Sequence, residues 1–346
     1  MNLDQQLSSY DYYLPSELIA QNPVIPRDTS RLLVVKSQET INHHVFSDLP
    51  DLLSSGDLLV LNDTLVIPAR LYGKKSTGAQ VEVLLVEETE NNCWLALVKP
   101  GKRFSIGSEI IFGDILKATV IGKDESTGGR FLQFEVNPCQ SFWEILDKVG
   151  NIPFPPYVTE SQANPQQYQT VYAEKQGAIA APTAGLHFTE RLLTQLTEKQ
   201  INIAKVTLHV GIGTFRPVEV EDILNHEMHQ EWKEVNQNTI DAIKQTKEKG
   251  KKVIAVGTTV VRTLEGAYQQ QQKLIPFSGK TNLFIYPSYE FKVIDGLITN
   301  FHLPKSSLLM LVSALIGRER LMSIYQKAME EKYRFYSFGD GMFIQI

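Results

Sequence analysis

The sequence is poor in cysteine. Cys93 and Cys139 are the only two among 346 residues, and they form no C-x-x-C pair. This scarcity excludes a disulfide scaffold, an iron–sulfur centre and a cysteine-rich zinc site, and it favours a cytoplasmic protein in a reducing compartment. Basic residues are not in excess either, because 39 Asp and Glu oppose 34 Lys and Arg and give a formal net charge of -5. A protein coated with basic charge for nucleic acid is therefore excluded, although a local basic patch stays open.

Long hydrophobic runs are also missing. The most apolar run, residues 308–316, ends at Gly317 and is well short of the roughly 20 residues that a membrane helix needs. Ser306 or Ser307 can cap its start, so the run predicts a buried helix. The first residues contain no basic segment followed by an apolar core, so we expect no secretory signal and no membrane partner.

The usual ligand motifs are absent as well. No G-x-x-x-x-G-K-[ST] occurs, and the segment 211–214 (GIGT) lacks the third glycine of a dinucleotide fingerprint. The segment 226–229 (HEMH) spaces its histidines three apart instead of four, and no third ligand follows at a suggestive distance. We therefore expect neither a nucleotide loop nor a metal site.

The pattern of the sequence changes along the chain. Residues 1–66 contain a helical stretch and two short apolar runs typical of strands, whereas residues 67–150 contain short β segments about ten residues apart, which predicts a small antiparallel barrel or sandwich. After the proline-rich segment 152–157, strands alternate with helices from about residue 170 onward, which favours an α/β fold with parallel strands for residues 151–346. The strands of residues 1–66 have no sheet of their own, so we expect them to join this sheet. The β unit is then an insertion into one larger domain.

Four segments concentrate residues suited to ligand chemistry, and each follows or ends a predicted strand. In α/β folds, ligands bind at the carboxyl ends of strands. Each segment alone is more typical of ordinary strand ends and helix caps than of a site, but three of the four contain a histidine, which favours a shared site for proton transfer near neutral pH. The segments are 180–188, 208–215, 255–262 and 298–304, with His187, His209 and His302 in the first, second and fourth.

A local basic patch lies within the β unit. Residues 99–103 (KPGKR) place Lys99, Lys102 and Arg103 close together. Such a cluster is either a solvated turn or a contact to phosphates of a nucleic acid, and the sequence leaves both interpretations open.

Nine blocks of the sequence, taken in their order and spacing, resemble a known family. They are Asn62–Thr64, Pro68–Leu71, Val81–Leu85, Tyr168–Ala173, Ala180–Phe188, Thr207–Gly211, Gly257–Thr259, Thr299–Pro304 and Phe338–Asp340. Together they resemble the S-adenosylmethionine:tRNA ribosyltransferase-isomerases of queuosine biosynthesis. Two positions depart from the family pattern: Leu65 stands where Arg is usual, and Gly341 stands where Ala is usual.

The resemblance implies both a fold and a reaction. The fold is a distorted, incomplete β/α barrel that carries an inserted small β-barrel. The reaction moves the ribosyl group of S-adenosylmethionine onto a 7-aminomethyl-7-deazaguanine base at the tRNA wobble position and rearranges it, giving epoxyqueuosine-tRNA, adenine and methionine. S-adenosylmethionine is then a consumed co-substrate, no cofactor is needed, the partner is the tRNA anticodon arm, and we expect a monomer.

The resemblance also implies which residues form the site. We expect the motif-bearing loops to converge on the S-adenosylmethionine pocket, with proton transfer by His187, His209 and His302 and with Asp340 as a supporting carboxylate; which group is acid and which is base stays open. If the histidines are not responsible, Asp63, Glu265 or Asp340 is next. The predicted substrate-binding residues are Asn62, Asp63, Arg70, Thr183, Gly185, Gly211, Gly213, Thr214, Gly257, Thr258, Thr259, Arg262 and Asn300, and the predicted tRNA-binding residues are Lys99, Lys102 and Arg103.

Two other functions are compatible with parts of the pattern. An S-adenosylmethionine-dependent methyltransferase is disfavoured because no glycine-rich loop follows a first strand with an acidic residue about 20 positions on. A non-catalytic RNA-binding protein would use the small β unit, and its histidine-bearing loops would be structural. Release of adenine distinguishes the three functions.

Overall fold

The chain forms two compact units. The computed structural model describes residues 2–36, 40–75, 77–125, 127–211, 213 and 218–346. The large unit consists of Met1–Leu65, Pro156–Lys175 and Ala181–Ile346, and the small unit consists of Val66–Pro155 and Gln176–Ala180. The small unit is therefore an insertion into the chain of the large one.

The strands are, in chain order, β1 (Arg31–Val35), β2 (Ile41–Val45), β3 (Leu58–Asn62), β4 (Thr64–Val66), β5 (Arg70–Lys74), β6 (Gln80–Glu90), β7 (Cys93–Lys99), β8 (Glu109–Phe112), β9 (Leu116–Lys123), β10 (Arg130–Glu135), β11 (Gly150–Asn151), β12 (Lys175–Ala178), β13 (Asn202–Leu208), β14 (Glu231–Val235), β15 (Val253–Val256), β16 (Phe277–Thr281), β17 (Gly296–Asn300) and β18 (Gly341–Gln345). The helices are α1 (Leu49–Leu52), α2 (Phe142–Val149), α3 (Glu190–Glu198), α4 (Gln237–Glu248), α5 (Thr258–Gln271), α6 (Ser307–Ile316) and α7 (Arg318–Glu330). Short 3₁₀ turns occupy several of the connections.

A nine-stranded mixed sheet organises the large unit. Its order is β16-β14-β13-β3-β15-β17-β18-β1-β2, and the four central strands β13, β3, β15 and β17 run parallel. Within the described ranges no pairing joins the edge strands β16 and β2, so the sheet is open. Both β1 and β3 belong to it, as the sequence predicts for the strands of the first 66 residues.

The central strands are buried on both faces, as expected for parallel strands between helix layers. Alternate residues of β3 divide between the two faces, because successive side chains of a strand point in opposite directions. Leu58 and Val60 pack in the core that contains residues of α4 to α7, whereas Leu59 and Leu61 pack with residues of α3. The predicted α/β class is therefore confirmed.

The N-terminal region differs from its prediction. Residues 1–66 were expected to contain a helical stretch, but the only helical elements in the described part of this region are the four-residue α1 and several 3₁₀ turns. The prediction is wrong because prolines interrupt the segment at Pro15, Pro23 and Pro26, and proline removes a backbone donor and clashes with the preceding helical turn. The apolar run near residue 310, by contrast, forms α6 as predicted, with the Ser306 hydroxyl accepting from the Leu309 N–H at its start.

The small unit is an antiparallel barrel. Its strands follow the order β5-β6-β7-β10-β9-β8, and a pairing of β5 with β8, at Lys74 and Ile111, closes the barrel; β11 adds to β5. Gly73 stands at this closure, where a Cβ atom would lie 2.8 Å from side-chain atoms of Ile110 and Phe112. Only glycine allows so close an approach, so the predicted inserted barrel is confirmed together with the residue that lets it close.

The remaining two strands, β4 and β12, form a separate two-stranded sheet. Across the ranges that the structure describes, the helices are too short or too polar to cross a membrane.

Candidate active site

A cleft lies at the carboxyl-end edge of the central parallel strands of the large unit. It encloses about 680 Å³, including the open space at its mouth. Because β13, β3, β15 and β17 are parallel neighbours, the residues that follow each of them meet at this edge. Six residues predicted to belong to the site line the cleft: Thr183, Gly257, Thr258, Thr259, Asn300 and His302.

Asn300, the last residue of β17, is held by three contacts. The Thr183 hydroxyl donates to its Oδ1 at 3.0 Å, its Nδ2 donates to the Tyr336 carbonyl at 3.3 Å, and Nδ2 lies 3.1 Å from Nε2 of His187. A buried amide with these partners has one orientation, since its oxygen and nitrogen are each satisfied. Asn300 therefore presents a fixed polar surface to the cleft.

His187 lies behind Asn300. It is fully buried, its ring stacks on Phe46 with centroids 4.6 Å apart, and its Nδ1 lies 2.6 Å from the Ser30 hydroxyl. Nδ1 also lies 3.3 Å from Nη2 of Arg27, and Nε2 faces the Asn300 amide, so both ring nitrogens are occupied by contacts within the protein. Burial, together with the charges of Arg27 and Arg334, holds the pKa of His187 well below its usual value. His187 is thus a neutral support for Asn300.

His302 is the predicted histidine that lines the cleft. Its Nε2 lies 2.8 Å from the Thr299 hydroxyl, and its backbone N–H donates to the Tyr325 hydroxyl at 2.9 Å. The Tyr12 hydroxyl donates to its carbonyl. Burial lowers the pKa of His302 to about 3, so the ring is neutral at pH 7 and does not supply a proton as an imidazolium.

A second group of predicted residues lies at the ends of β3 and β13. The His209 ring stacks on Trp232 with centroids 4.9 Å apart, and its Nδ1 lies 2.8 Å from the Thr64 hydroxyl. Burial and the charge of Lys175 lower the pKa of His209 to about 4. His209 is not among the described residues that line the cleft. The three histidines are therefore not gathered at one point.

Asn62 and Asp63 join these two strand ends. The Asn62 side chain donates to the Leu208 carbonyl at 3.0 Å and accepts from the Leu208 N–H at 3.0 Å. The Thr207 hydroxyl donates to the Asp63 carboxylate at 2.7 Å, and burial raises the pKa of Asp63. Both side chains are committed to contacts within the protein.

Arg262, predicted to bind substrate, pairs with a buried carboxylate instead. Its Nη1 contacts Glu231 of β14, and its Nε donates to the Leu283 carbonyl at 3.2 Å. The Gly211 N–H donates to the same carboxylate at 2.9 Å. Burial alone would raise the pKa of Glu231, but the Arg262 charge, His229 and the Gly211 N–H outweigh burial and lower it to about 2.

Sequence reasoning missed Glu231, although a signal was present. In β14 the residues Glu231, Lys233 and Val235 alternate with outward-facing ones, and all three are buried. A charged residue at an inward position of a strand indicates a buried ion pair. Gly213 also belongs to this region, because a Cβ atom there would lie 2.3 Å from Cγ of His229.

Replacing Lys233 by Met is expected to stabilise the protein. Its fully buried amine has no hydrogen-bond partner in the part of the chain described. Burial and the Arg262 charge lower the pKa of Lys233 from 10.5 to about 7, so between these pH values the unfolded chain binds more protons than the folded one. The destabilisation caused by Lys233 therefore grows as the pH falls through this range. We expect K233M to raise the free energy of unfolding by at least about 1 kcal/mol at pH 7 and by less at pH 10.

Urea unfolding at the two pH values measures this difference. The exposed Lys292, which pairs with Glu290, supplies the matched control K292M, for which we expect a change within about 0.5 kcal/mol at both pH values. A K233M protein that is less stable than the wild type at pH 7 would contradict the argument.

The Asp340 side chain joins two backbone segments by hydrogen bonds. Its carboxylate accepts from the N–H of Arg31 at 3.0 Å and of Arg334 at 2.8 Å. Glu265 is used in a similar way, since it accepts from the N–H groups of Lys292, Val293 and Ile294. Neither carboxylate lines the described part of the cleft.

The other predicted residues lie elsewhere. Gly185 packs so closely that a Cβ atom would lie 2.1 Å from the Tyr172 hydroxyl, and Thr214 lies outside the described residues. Arg70, in the barrel, lies 3.3 Å from Glu82. The side chains of Lys99, Lys102 and Arg103 are exposed. Among the residues that the structure describes, no cluster of three or more His, Cys, Asp or Glu is arranged to hold a metal ion.

Two tyrosines that the sequence did not single out form one wall of the cleft. The rings of Tyr157 and Tyr336 have centroids 4.7 Å apart, and the Tyr157 hydroxyl lies 2.5 Å from that of Ser337. Tyr336 has a φ of 69°, in the left-handed region that bulky residues rarely adopt. Its N–H donates to the Phe301 carbonyl and its own carbonyl accepts from Asn300, so neighbouring groups maintain this strained backbone.

Comparisons with known proteins agree with one another. The family described as queuosine biosynthesis protein matches residues 7–344. A protein from a Nostoc species named S-adenosylmethionine:tRNA ribosyltransferase-isomerase is 60% identical over 99% of this chain and 92% of its own length. A protein of the same name from Desulforamulus reducens is 51% identical over 98% of this chain and 99% of its own. The crystal structure of an S-adenosylmethionine tRNA ribosyltransferase from Thermotoga maritima is similar with a TM-score of 0.57 and 39% identity, over 97% of this chain and 99% of that one.

Proposed function

The chain belongs to the queuosine biosynthesis protein family, and we propose that the cleft at the ends of β15 and β17 is the active site of its S-adenosylmethionine:tRNA ribosyltransferase-isomerase activity. The resemblance found in the sequence is thereby confirmed. One observation carries the placement of the site: residues from three separate family-like segments, represented by Thr183, Thr259 and His302, line a single cleft.

S-adenosylmethionine and tRNA are the substrates of this activity. We propose that the ribosyl group is transferred to 7-aminomethyl-7-deazaguanine at the wobble position and rearranged there, with release of adenine and methionine. The sulfonium withdraws electrons, so a side-chain base is able to remove a proton from the adjoining ribose carbon. Departure of adenine requires a proton donor near its ring nitrogens, and the attacking amine must be neutral.

The electrostatics of the cleft support this chemistry. Among the described residues that line it, none is Lys or Arg, and His302 is neutral at pH 7 because burial lowers its pKa to about 3. No positive side chain therefore opposes the sulfonium. The Thr299 hydroxyl, 2.8 Å from Nε2, orients the ring. We assign to His302 the removal of the proton next to the sulfonium.

The wall formed by Tyr157 and Tyr336 supports binding of a flat base. Both rings line the cleft, and aromatic side chains stack on nucleobases that have left a helix or a loop. We propose that this wall stacks either the adenine of S-adenosylmethionine or the deazaguanine of the tRNA.

The barrel supplies the proposed contact to the anticodon arm. Lys102 and Arg103 are exposed and belong to the turn Gly101–Arg103, which begins two residues after Lys99 of β7. In the part of the chain that is described, the side chains of these three residues form no ion pair, so their charges are available to phosphates. Phosphate contacts position an RNA without reading its sequence.

Replacing Lys99, Lys102 and Arg103 together by Ala is expected to weaken tRNA binding and to flatten its salt dependence. Each lost phosphate contact lowers the slope of log K against log salt by about 0.7 to 0.9, so the slope should fall by about 2 units. Titrations of tRNA at several salt concentrations measure this change. Lys123, which is also in the barrel but pairs with Glu125, gives the matched control K123A. An unchanged slope in the triple variant would show that this turn does not contact the tRNA.

One experiment decides between the proposed function and its alternatives. The protein is incubated with S-adenosylmethionine and a tRNA that contains the aminomethyl deazaguanine, and the nucleosides and free adenine are analysed by mass spectrometry. The proposed reaction gives epoxyqueuosine and one adenine per modified base. A methyltransferase would leave adenine attached, and a non-catalytic RNA-binding protein would consume no S-adenosylmethionine.

The finer properties of the enzyme are part of the same proposal. We propose that S-adenosylmethionine is consumed as a co-substrate and that no resident cofactor takes part, because the sulfonium itself supplies the activation. We further propose that the enzyme works in the cytoplasm, where its thiols Cys93 and Cys139 stay free, and that it acts as a monomer.

A further inference from the structure

The start of α5 faces the cleft with unsatisfied backbone donors. The helix has 14 residues, and its N-cap is Gly257, which has no side chain to accept from the first N–H groups. The N–H groups of Thr258 and Thr259 have no acceptor among the described residues, whereas the Gly257 N–H donates to the Ile298 carbonyl at 2.7 Å. Free N–H groups and the helix dipole together make such a terminus favourable for an anion.

The hydroxyl of Thr259 is an independent sign of a missing ligand. Thr259 is only 9% exposed and lines the cleft, and its Oγ1 is buried without a hydrogen-bond partner. Thr263, one turn further along α5, satisfies its own hydroxyl by donating to the Thr259 carbonyl at 2.7 Å. Because Thr259 stands in the first turn, no helical carbonyl lies one turn before it. A buried unpaired hydroxyl is unfavourable, and a bound acceptor would satisfy it.

The space in front of these donors is open because residue 257 is glycine. A Cβ atom at Gly257 would lie 3.4 Å from the Thr259 Oγ1 and 3.7 Å from the Ala184 Cβ. The φ of Gly257 is 92°, a conformation that other residues rarely adopt. Among the described lining residues none is Asp or Glu, so no negative charge repels an anion there.

We propose that the start of α5, from Gly257 to Thr259, binds the carboxylate of the methionine part of S-adenosylmethionine. This inference rests on the proposed function. The Thr258 N–H, the Thr259 N–H and the Thr259 hydroxyl supply three donors for the two carboxylate oxygens. A phosphate of the tRNA is the other anion that the reaction offers. The carboxylate is favoured because the donors lie in the same cleft as His302, beside which the sulfonium end of the small substrate must be placed.

The carboxylate is not altered in the reaction, so its contacts bind the ground state and the transition state equally. Removing the Thr259 hydroxyl with the isosteric T259V variant should therefore raise the Kd and KM for S-adenosylmethionine about 10- to 100-fold, as for a lost hydrogen bond to a charged group, and leave kcat nearly unchanged. The T259S variant keeps a hydroxyl and should bind close to the wild type. T263V, on the same helix, is the matched control.

The decisive probe is decarboxylated S-adenosylmethionine, compared with S-adenosylmethionine by calorimetric titration. The wild type should bind the decarboxylated compound about 10- to 100-fold more weakly, and T259V should bind it as the wild type does. The assignment would be overturned if T259V lost the same affinity for both compounds relative to the wild type. It would also be overturned if the wild type bound both compounds equally well. A loss of tRNA affinity in T259V with unchanged S-adenosylmethionine binding would assign the donors to a phosphate instead. A wild type that binds neither compound would disprove the proposed function itself.

Discussion

The H302N variant is expected to lose about 100- to 10,000-fold in turnover, the usual cost of removing a general base, while its affinity for S-adenosylmethionine changes little. Asn keeps a polar side chain near Thr299 but has no nitrogen that accepts a proton. Exchange of the sulfonium-adjacent ribose hydrogen with solvent should stop in the same variant, because that exchange requires the proton to be removed. Single-turnover kinetics and mass analysis of exchange in deuterated water measure the two effects.

The pH dependence gives a second test of His302. A base is active when deprotonated, so activity due to His302 should fall only as the pH drops towards its pKa of about 3, and no inflection near 6.5 should come from this residue. His44 of β2, whose Nδ1 lies 3.5 Å from the Asp48 carboxylate, gives the control variant H44N, which should have normal turnover. If H302N keeps near-normal turnover and exchange, the assignment is wrong. Asp63 is then the next base to test, because burial raises the pKa of its carboxyl.

The position of the candidate site could be predicted from the sequence because the geometry of a parallel sheet is general. Residues after β15 and β17 meet at one edge whatever the details of packing, so the segments that contain Thr259 and Asn300 had to be neighbours. The inserted barrel was predictable for a similar reason, since short alternating strands joined by turns have few other stable arrangements.

The direction of individual side chains was not predictable. His187 and His302 both follow family-like patterns, yet one lies behind Asn300 and the other lines the cleft. Motif spacing does not determine which side of a loop faces the solvent, because that depends on partners distant in the chain, such as Ser30 and Phe46 for His187. The same limit applies to Arg262, whose partner Glu231 precedes it by 31 residues.

The E231Q variant is expected to destabilise the protein by about 3 to 5 kcal/mol, the usual cost of leaving one charge of a buried pair uncompensated. Gln keeps the size of Glu and an oxygen for the Gly211 N–H, so the loss reports mainly the Arg262 charge that stays buried. The double variant E231Q/R262M removes both charges and should recover a large part of the loss. The exposed Glu290 provides the control E290Q, expected to change stability by less than about 0.5 kcal/mol.

The pH dependence of the wild type tests the same pair. The pKa of Glu231 is about 2 in the folded protein against an ordinary 4.5, so the folded state binds fewer protons than the unfolded state between these values. The contribution of the pair to the free energy of unfolding is therefore complete above pH 4.5 and is lost as the pH falls towards 2. The loss is about 3 kcal/mol, at 1.36 kcal/mol per pKa unit. Urea unfolding at pH 7 and pH 3 should show the wild type losing more stability than E231Q/R262M. Equal losses in both proteins would mean that Glu231 is not held ionised by Arg262, and the destabilisation of E231Q would then have to come from the Gly211 contact at the end of β13.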